Sequence, residues 1–253
     1  MRFVANAETD IGTTKETNQD SLLIKQASSD KGEILMAVVC DGMGGLAKGE
    51  LASATVVRRL SEWFEKELPY ELEHFNMQIV ASKWELLLKD LNTKILAYGR
   101  NSDINLGTTF SGILFVGNQF LVVHVGDSRI YQISEKLRQL TSDHTFVARE
   151  VSRGAMTMEE AKTDKRRNML LQCIGASKVI EPEIIFGTTD KGVYMLCSDG
   201  FRHEVTEEEI CHELKPDNLR SKNAMHDKSR YLIDLVKSRK EKDNISVIII
   251  RVD

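Results

Sequence analysis

Proline is scarce, with 3 residues in 253, and no Gly/Ser-rich tract interrupts the chain. Nothing in the composition would serve as an interdomain linker, so residues 1–253 are expected to form a single domain. Cysteine is sparse and unpatterned. Cys40, Cys173, Cys197 and Cys211 show no C-x-x-C spacing, and Cys40 and Cys197 sit inside apolar runs, where cysteine behaves as a small hydrophobe. Buried free thiols are expected rather than a metal or redox centre. No apolar stretch approaches the roughly 18 residues a membrane helix needs, and MRFVANAETD at the start lacks a basic segment followed by an apolar one. A reduced, cytoplasmic, unanchored protein is the expectation. Neither sign of charge dominates: 34 basic against 38 acidic residues give a net charge of −4, which argues against nucleic acid or an acidic membrane as the main partner. With 42% hydrophobic residues, a chain of this length buries roughly 70–75% of its unfolded surface and needs no disulfide or structural metal to hold together.

Short apolar and β-branched runs recur in pairs. SLLIKQ (21–26) precedes EILMAVVC (33–40), and TTFSGILFVG (108–117) precedes QFLVVHVG (119–126) and RIYQI (129–133). The spacers SSDKG and GNQ have turn chemistry, so antiparallel hairpins are predicted. EIIFGT (183–188), VYMLCS (193–198) and ISVIIIRV (245–252) are further strands. Helical spacing appears over 50–68, 77–98 and 224–240, with Trp63 and Trp84 on apolar faces that read as core. Helices and strands are segregated, so the fold class is α+β, with sheets covered by helices. The polar stretch 145–182, basic at Lys165-Arg166-Arg167, reads either as an insertion over a site or as a solvated helical excursion.

Chemistry gathers where the apolar strands stop. Asp41 follows Cys40, Asp199 follows Ser198, Asp127 follows Gly126, Asp243 precedes the final strand and Asp20 precedes the SLLIKQ strand. Any one Asp-Gly pair would read as a turn. Five carboxylates at one kind of position would, if the strand ends converge, repel one another unless cations neutralise them, and an oxygen-only set selects hard ions such as Mg²⁺ or Mn²⁺. Gly42, Gly44 and Gly45 would let the backbone approach a metal or phosphate, and the Gly42 carbonyl is itself a candidate ligand. Gly42 to Ala47 also fits the G-x-G-x-x-[G/A] pattern of a nucleotide-cofactor oxidoreductase. That alternative requires a parallel βαβ unit, whereas a hairpin precedes this loop and two helices follow it.

Seven motifs occur in order: T-K-E-T-N-Q-D-S (14–21), D-G-M-G-G-L-A-K-G-E (41–50), G-T-T (107–109), G-D-S-R-I-Y (126–131), L-T-S-D-H-T (140–145), S-D-G-F (198–201) and D-N-I-S (243–246). Together they resemble the metal-dependent protein phosphatase family, the 2C type in its compact bacterial form, over nearly the whole chain. The resemblance implies a four-layer αββα sandwich of two antiparallel sheets flanked by helices. It implies hydrolysis of phosphoserine and phosphothreonine in proteins, opposing a bacterial-type kinase, by a monomer using two Mn²⁺ or Mg²⁺ ions and a third, weaker one. On that resemblance Asp41 bridges two metals, with Asp20 and the Gly42 carbonyl on one side and Asp199 and Asp243 on the other. Asp127 and Asp199 serve the third, and Asn244 orients a ligand or water. Region 145–182 matches the family's flap, where the basic run would attract acidic phosphopeptides.

Three positions depart from the family pattern. Lys15 stands where the family usually has a phosphate-clamping Arg, and it offers a point charge without the bidentate fork. Met43 replaces the His of many eukaryotic members, so no general acid is identified. Phe201-Arg202-His203-Glu204 stands where another Asp usually follows S-D-G, leaving His203 as a softer ligand for the third metal or simply a polar loop residue. His124 and His144 read as strand and turn residues. A phosphoprotein-binding pseudophosphatase, with the fold but no turnover, is the alternative function.

Overall fold

The computed structural model describes residues 1–43 and 48–253. Gly44 and Gly45, and with them Leu46 and Ala47 of the glycine pattern, lie outside the described residues. The chain opens with β1 (Phe3–Asp10), β2 (Ser21–Ser29) and β3 (Gly32–Cys40), followed by α1 (Gly49–Lys66), α2 (Leu68–Glu73) and α3 (Met77–Ser102). Then come β4 (Phe110–Val116), β5 (Gln119–Val125), β6 (Arg129–Ile133), β7 (Leu137–Gln139), α4 (Phe146–Ser152) and α5 (Met158–Thr163). It closes with β8 (Glu183–Thr188), β9 (Gly192–Cys197), α6 (Asp199–Arg202), α7 (Glu207–Leu214), α8 (Lys222–Ser238) and β10 (Ile245–Val252).

Two five-stranded antiparallel sheets result, one in the order β1-β10-β9-β6-β7 and the other β2-β3-β4-β5-β8. Strand periodicity explains how they stack. Along β3, Ile34, Met36, Val38 and Cys40 pack with Val56, Leu60, Trp63, Trp84 and Leu88 of α1 and α3, while the alternate residues Leu35, Ala37 and Val39 face the other sheet. β10 divides in the same way: Val247 and Ile249 meet Leu232, Ile233 and Val236 of α8, and Ile248 and Ile250 face inward with Tyr194 and Phe115. Both faces of each sheet are therefore covered, which is why the central strands read as unbroken apolar runs rather than alternating ones. The expected αββα sandwich is the observed fold. The β2–β3 and β4–β5 hairpins form as predicted, and β3 has antiparallel neighbours on both sides, so the oxidoreductase topology is absent.

Three differences have physical causes. β1 was not predicted because FVANAETD buries few of its side chains; it is an edge strand held by the ladder to β10 from Phe3↔Val252 to Asp10↔Ile245. β7 is too short to carry a pattern. The short helices α4, α5 and α7 begin at Thr145, Thr157 and Thr206, whose hydroxyls cap backbone N–H groups, a local signal that apolar spacing does not register. Segment 145–182 contains the two short helices α4 and α5, in line with the helical-excursion alternative, and it is tied down by bridges from Thr145 to Leu170 and from Thr108 to Ile174. No helix of the described residues is long and apolar enough to cross a membrane. Cys40, Cys173 and Cys197 are buried and unpaired, and Cys211 is half-buried.

The helix-side core centres on Trp63 and Trp84, whose rings meet edge to face at 5.4 Å; Trp84 meets Phe110 at 6.1 Å. Both indole N–H groups are buried without a partner, so these rings contribute through packing alone. His124, buried on β5, is different. Its Nε2–H donates to the Gly126 carbonyl at 3.0 Å, leaving Nδ1 to face the Ser111 hydroxyl at 2.9 Å, an assignment that follows from the network. Burial, reinforced by neighbouring His144, pushes its pKa down to about 3.

Two stability predictions follow from this core. Trp84→Ala should lower the unfolding free energy in urea by about 3–5 kcal/mol, with Trp84→Phe recovering most of the loss because no indole hydrogen bond is forfeited. His124 binds fewer protons folded than unfolded, so its contribution is fully present above about pH 6.5 and is lost as pH falls towards 3. Relative to His124→Asn, the wild-type chain should lose stability across that window by up to about 1.4 kcal/mol per pH unit, and parallel pH profiles for the two proteins would contradict the assignment.

Candidate active site

Asp41 and Gly42 extend from the end of β3, and the G-T-T segment holds their backbone on both sides. Thr109 N–H donates to the Asp41 carbonyl at 2.8 Å and the Thr108 hydroxyl to the same oxygen at 2.9 Å. Asp41 N–H donates to the Thr109 hydroxyl at 3.0 Å, and Met43 N–H to the Gly107 carbonyl at 3.0 Å. Gly42 is required here: a Cβ would lie 2.4 Å from the Gln19 carbonyl oxygen, which accepts the Gly42 N–H at 3.2 Å.

The segment before β2 reaches the same place through Asn244. Its side-chain oxygen accepts the Gln19 N–H at 2.9 Å and its amide donates to the Ile11 carbonyl at 2.9 Å. Thr13 and Thr14 donate to the carbonyls of Glu241 and Lys242. Asn244 therefore positions the loop that carries Lys15 and Asp20 against the residues around Asp243. Asp199 starts α6, directly after β9, where Gly200 packs so closely that a Cβ would lie 2.2 Å from the Asn244 carbonyl oxygen.

These supports bring the acids predicted from sequence into one electrostatic group. Burial raises the Asp41 carboxyl well above the ordinary range, and the charges of Asp20, Asp199, Asp127 and Asp243 raise it further. Asp20 is pushed up to about 7 by burial and by Asp199 and Asp243. Both of its carboxylate oxygens are sealed from solvent without a hydrogen bond. The nearby Ser246 and Ser198 hydroxyls pull its pKa the other way, but burial outweighs them. Asp127 also rises to about 7, through burial and Asp199, with Arg202 pulling the other way. Lys15 enters the group at Asp243, Nζ to Oδ1 2.8 Å. Burial works against its charge, but Asp243, Asp41 and Asp199 outweigh it and raise its pKa. Orphaned, mutually repelling carboxylate oxygens out of solvent are what a hard divalent cation neutralises, so these residues fit the metal the sequence implies.

His203, the uncertain ligand, lies between two acids, with Nε2 3.7 Å from Asp199 Oδ2 and Nδ1 3.6 Å from Glu241 Oε2. In the basic run, Arg166 pairs with Asp164 at 2.8 Å and covers the Phe146 ring at 4.1 Å, and Arg167 donates to the Lys162 carbonyl, so both are engaged within their own segment. A separate set, His124, His144 and Glu183, has donor atoms within 4.8 Å of one another. Most of its atoms have other partners: both His124 nitrogens are bonded, His144 Nδ1 accepts the Gly126 N–H, and Glu183 accepts from Ser142 N–H and hydroxyl.

Sequence reasoning missed the ionic frame beside Asp127. Arg129 donates bidentately to Asp143, both contacts at 2.7 Å, and Arg202 joins them. Both partners lie inside quoted motifs, but their pairing depends on the β6–β7 register, Tyr131↔Gln139, which no local spacing reveals.

Comparison with known proteins agrees with this geometry. The Protein phosphatase 2C family model matches residues 12–242. A serine/threonine phosphatase stp of Listeria welshimeri is 31% identical over 253 residues, covering 97% of this chain and 94% of the relative. The S. agalactiae serine/threonine phosphatase structure superposes with a TM-score of 0.86 at 30% identity over the full length of both chains. The catalytic domain of the phosphatase PstP, solved with 2 manganese ions, gives 0.78 at 30% identity over 99% of each chain. With the motifs, the sandwich and the acid group all in agreement, the chain belongs to the protein phosphatase 2C family.

Proposed function

We propose that this chain is a serine/threonine protein phosphatase that removes phosphate from phosphoserine and phosphothreonine in proteins, opposing a bacterial-type kinase, with Mn²⁺ or Mg²⁺ as cofactor. One observation carries the reading: four other carboxylates converge on Asp41. Asp41 would be shared between two cations, with Asp20 and the Gly42 carbonyl serving one and Asp199 and Asp243 the other. Bound divalent cations supply Lewis acidity, lowering the pKa of a water and drawing charge from phosphoryl oxygens.

The chain's own residues hold and orient. G-T-T keeps the Asp41 backbone rigid, so its carboxylate is presented without reorganisation. Lys15, on the loop that Asn244 pins, offers an ammonium to the substrate phosphate from beside Asp243. The thiols near the site stay protonated and take no nucleophilic part: burial pushes Cys197 up to about 12 and, with Asp20 and Asp41, raises Cys40 well above the usual thiol range. All the core acids are retained, so nothing favours binding without turnover.

The purified protein should hydrolyse p-nitrophenyl phosphate and a phosphothreonine peptide with added Mn²⁺ and lose that activity in EDTA. Asp41→Asn should reduce kcat by about 10²-fold or more while circular dichroism shows the native fold, and retained turnover would sink the assignment. Lys15→Arg should lower KM for the phosphopeptide by adding the second donor of a guanidinium fork. An unchanged KM would remove Lys15 from the phosphate site.

A further inference from the structure

Asp199, Arg202 and His203 lie three and four positions apart at the start of α6, a spacing that puts their side chains on one side of the turn. The residue that brings an acid to the site thus also brings two basic groups beside it. Arg202 Nη2 donates to the Asp127 carbonyl at 3.1 Å, and the same nitrogen lies 3.9 Å from Asp127 Oδ2 and 3.7 Å from Asp143 Oδ2. Its side chain is 13% exposed, and those of Asp127 and Asp143 are each 11% exposed, so little water screens these charges. Arg202 Nε is buried with no partner, which leaves the guanidinium held by these acids rather than by a fuller set of hydrogen bonds.

The charges divide into two groups. Arg129, Asp143, Arg202 and Asp127 form a row of alternating sign in which two guanidinium charges balance two carboxylates. In the second group Lys15 pairs with Asp243, and His203 lies between Asp199 and Glu241. Asp20 and Asp41 have no cationic partner among the described residues, so this group is the one that calls for divalent cations. Apart from burial, what disfavours the Asp127 charge most is Asp199, which belongs to the second group and would be neutralised with it.

We propose that Arg202 is a positioning residue that occupies, with its guanidinium, the place beside Asp127 where a third cation would sit, so that this chain holds two ions and Asp127 ligates neither. A divalent ion touching the Asp127 carboxylate would lie within a few ångströms of that positive charge, since Arg202 Nη2 is 3.9 Å from Asp127 Oδ2, and like charges this close and this poorly solvated repel strongly. Arg129 fixes Asp143 with two contacts of 2.7 Å, so the second acid that faces Arg202 is held in place. The inference rests on the two-cation reading of the site and specifies which acids take part in it.

Mn²⁺ alone is the probe, counted by equilibrium dialysis and by the electron paramagnetic resonance of the free ion. The full chain should bind about two equivalents, and Asp127→Asn, nearly isosteric and still able to accept Arg202 at its carbonyl, should bind the same number. The double variant Arg202→Ala/His203→Asp, which removes the competing charge and adds an oxygen donor, should gain a further, weaker site. A third, weak equivalent in the wild-type chain that disappears in Asp127→Asn would overturn the inference and leave the two-cation reading intact. No Mn²⁺ bound by the wild-type chain would overturn both. Asp127→Asn tests the idea even if the double variant fails to fold.

Discussion

Like charge held out of water is the constraint on which the rest of this structure depends. Asp20 and Asp41 are disfavoured as ions by burial and by the charges of Asp199 and Asp243, so the group would separate if its backbones were free. They stay together because the backbone that carries them is held by its neighbours. Asp41 is clamped by Thr108 and Thr109, Asp20 lies on the loop that Asn244 anchors, and Asp199 is flanked by Ser198, whose N–H donates to the Ser246 carbonyl at 3.1 Å, and by Gly200, which packs against Asn244. Much of the polar machinery here, the threonines, serines and Asn244, is engaged in holding backbone. It resists repulsion.

The large core offsets the cost of that arrangement. Three apolar layers, helix on sheet, sheet on sheet and sheet on helix, use both faces of the central strands. A slip of one residue in β3 or β10 would exchange the inter-sheet set for the helix-facing set and also carry Asp41 or Asp243 away from the site, so hydrophobic register and catalytic geometry are fixed by the same alternation. The strands stop where the acids begin because the carboxylates have no place between apolar layers and every use at their rim.

The parts of this molecule that were legible from sequence are those in which the signal is local. β8 and β10 appear at their predicted bounds, and α1, α3 and α8 differ from expectation by only a few residues, since each carries a periodic apolar face or a continuous run. The acids were legible because each follows or precedes such a run. Pairing across the fold was not. Arg129 and Asp143 are separated by a hairpin whose register the sequence does not state, and Arg202 reaches Asp127 from a turn 75 residues further on. The departure at Phe201-Arg202-His203-Glu204 was visible, but it drew attention to His203 as a substitute ligand. Only the geometry shows that its neighbour Arg202 meets Asp127 directly.

The contrast between Arg129 and Lys15 shows what kind of cation each place tolerates. Arg129 grips Asp143 with two contacts of 2.7 Å and locks that carboxylate permanently, which suits a residue whose task is to stay in place. Lys15 meets Asp243 through a single contact of 2.8 Å on a flexible stem, a point charge without the planar fork that fixes Arg129. An arginine at position 15 would clamp phosphate better once the cations are in place, but in their absence its fork would hold Asp243 as Arg129 holds Asp143. On the function proposed above, lysine at this position trades a bidentate hold on phosphate for a looser hold on Asp243.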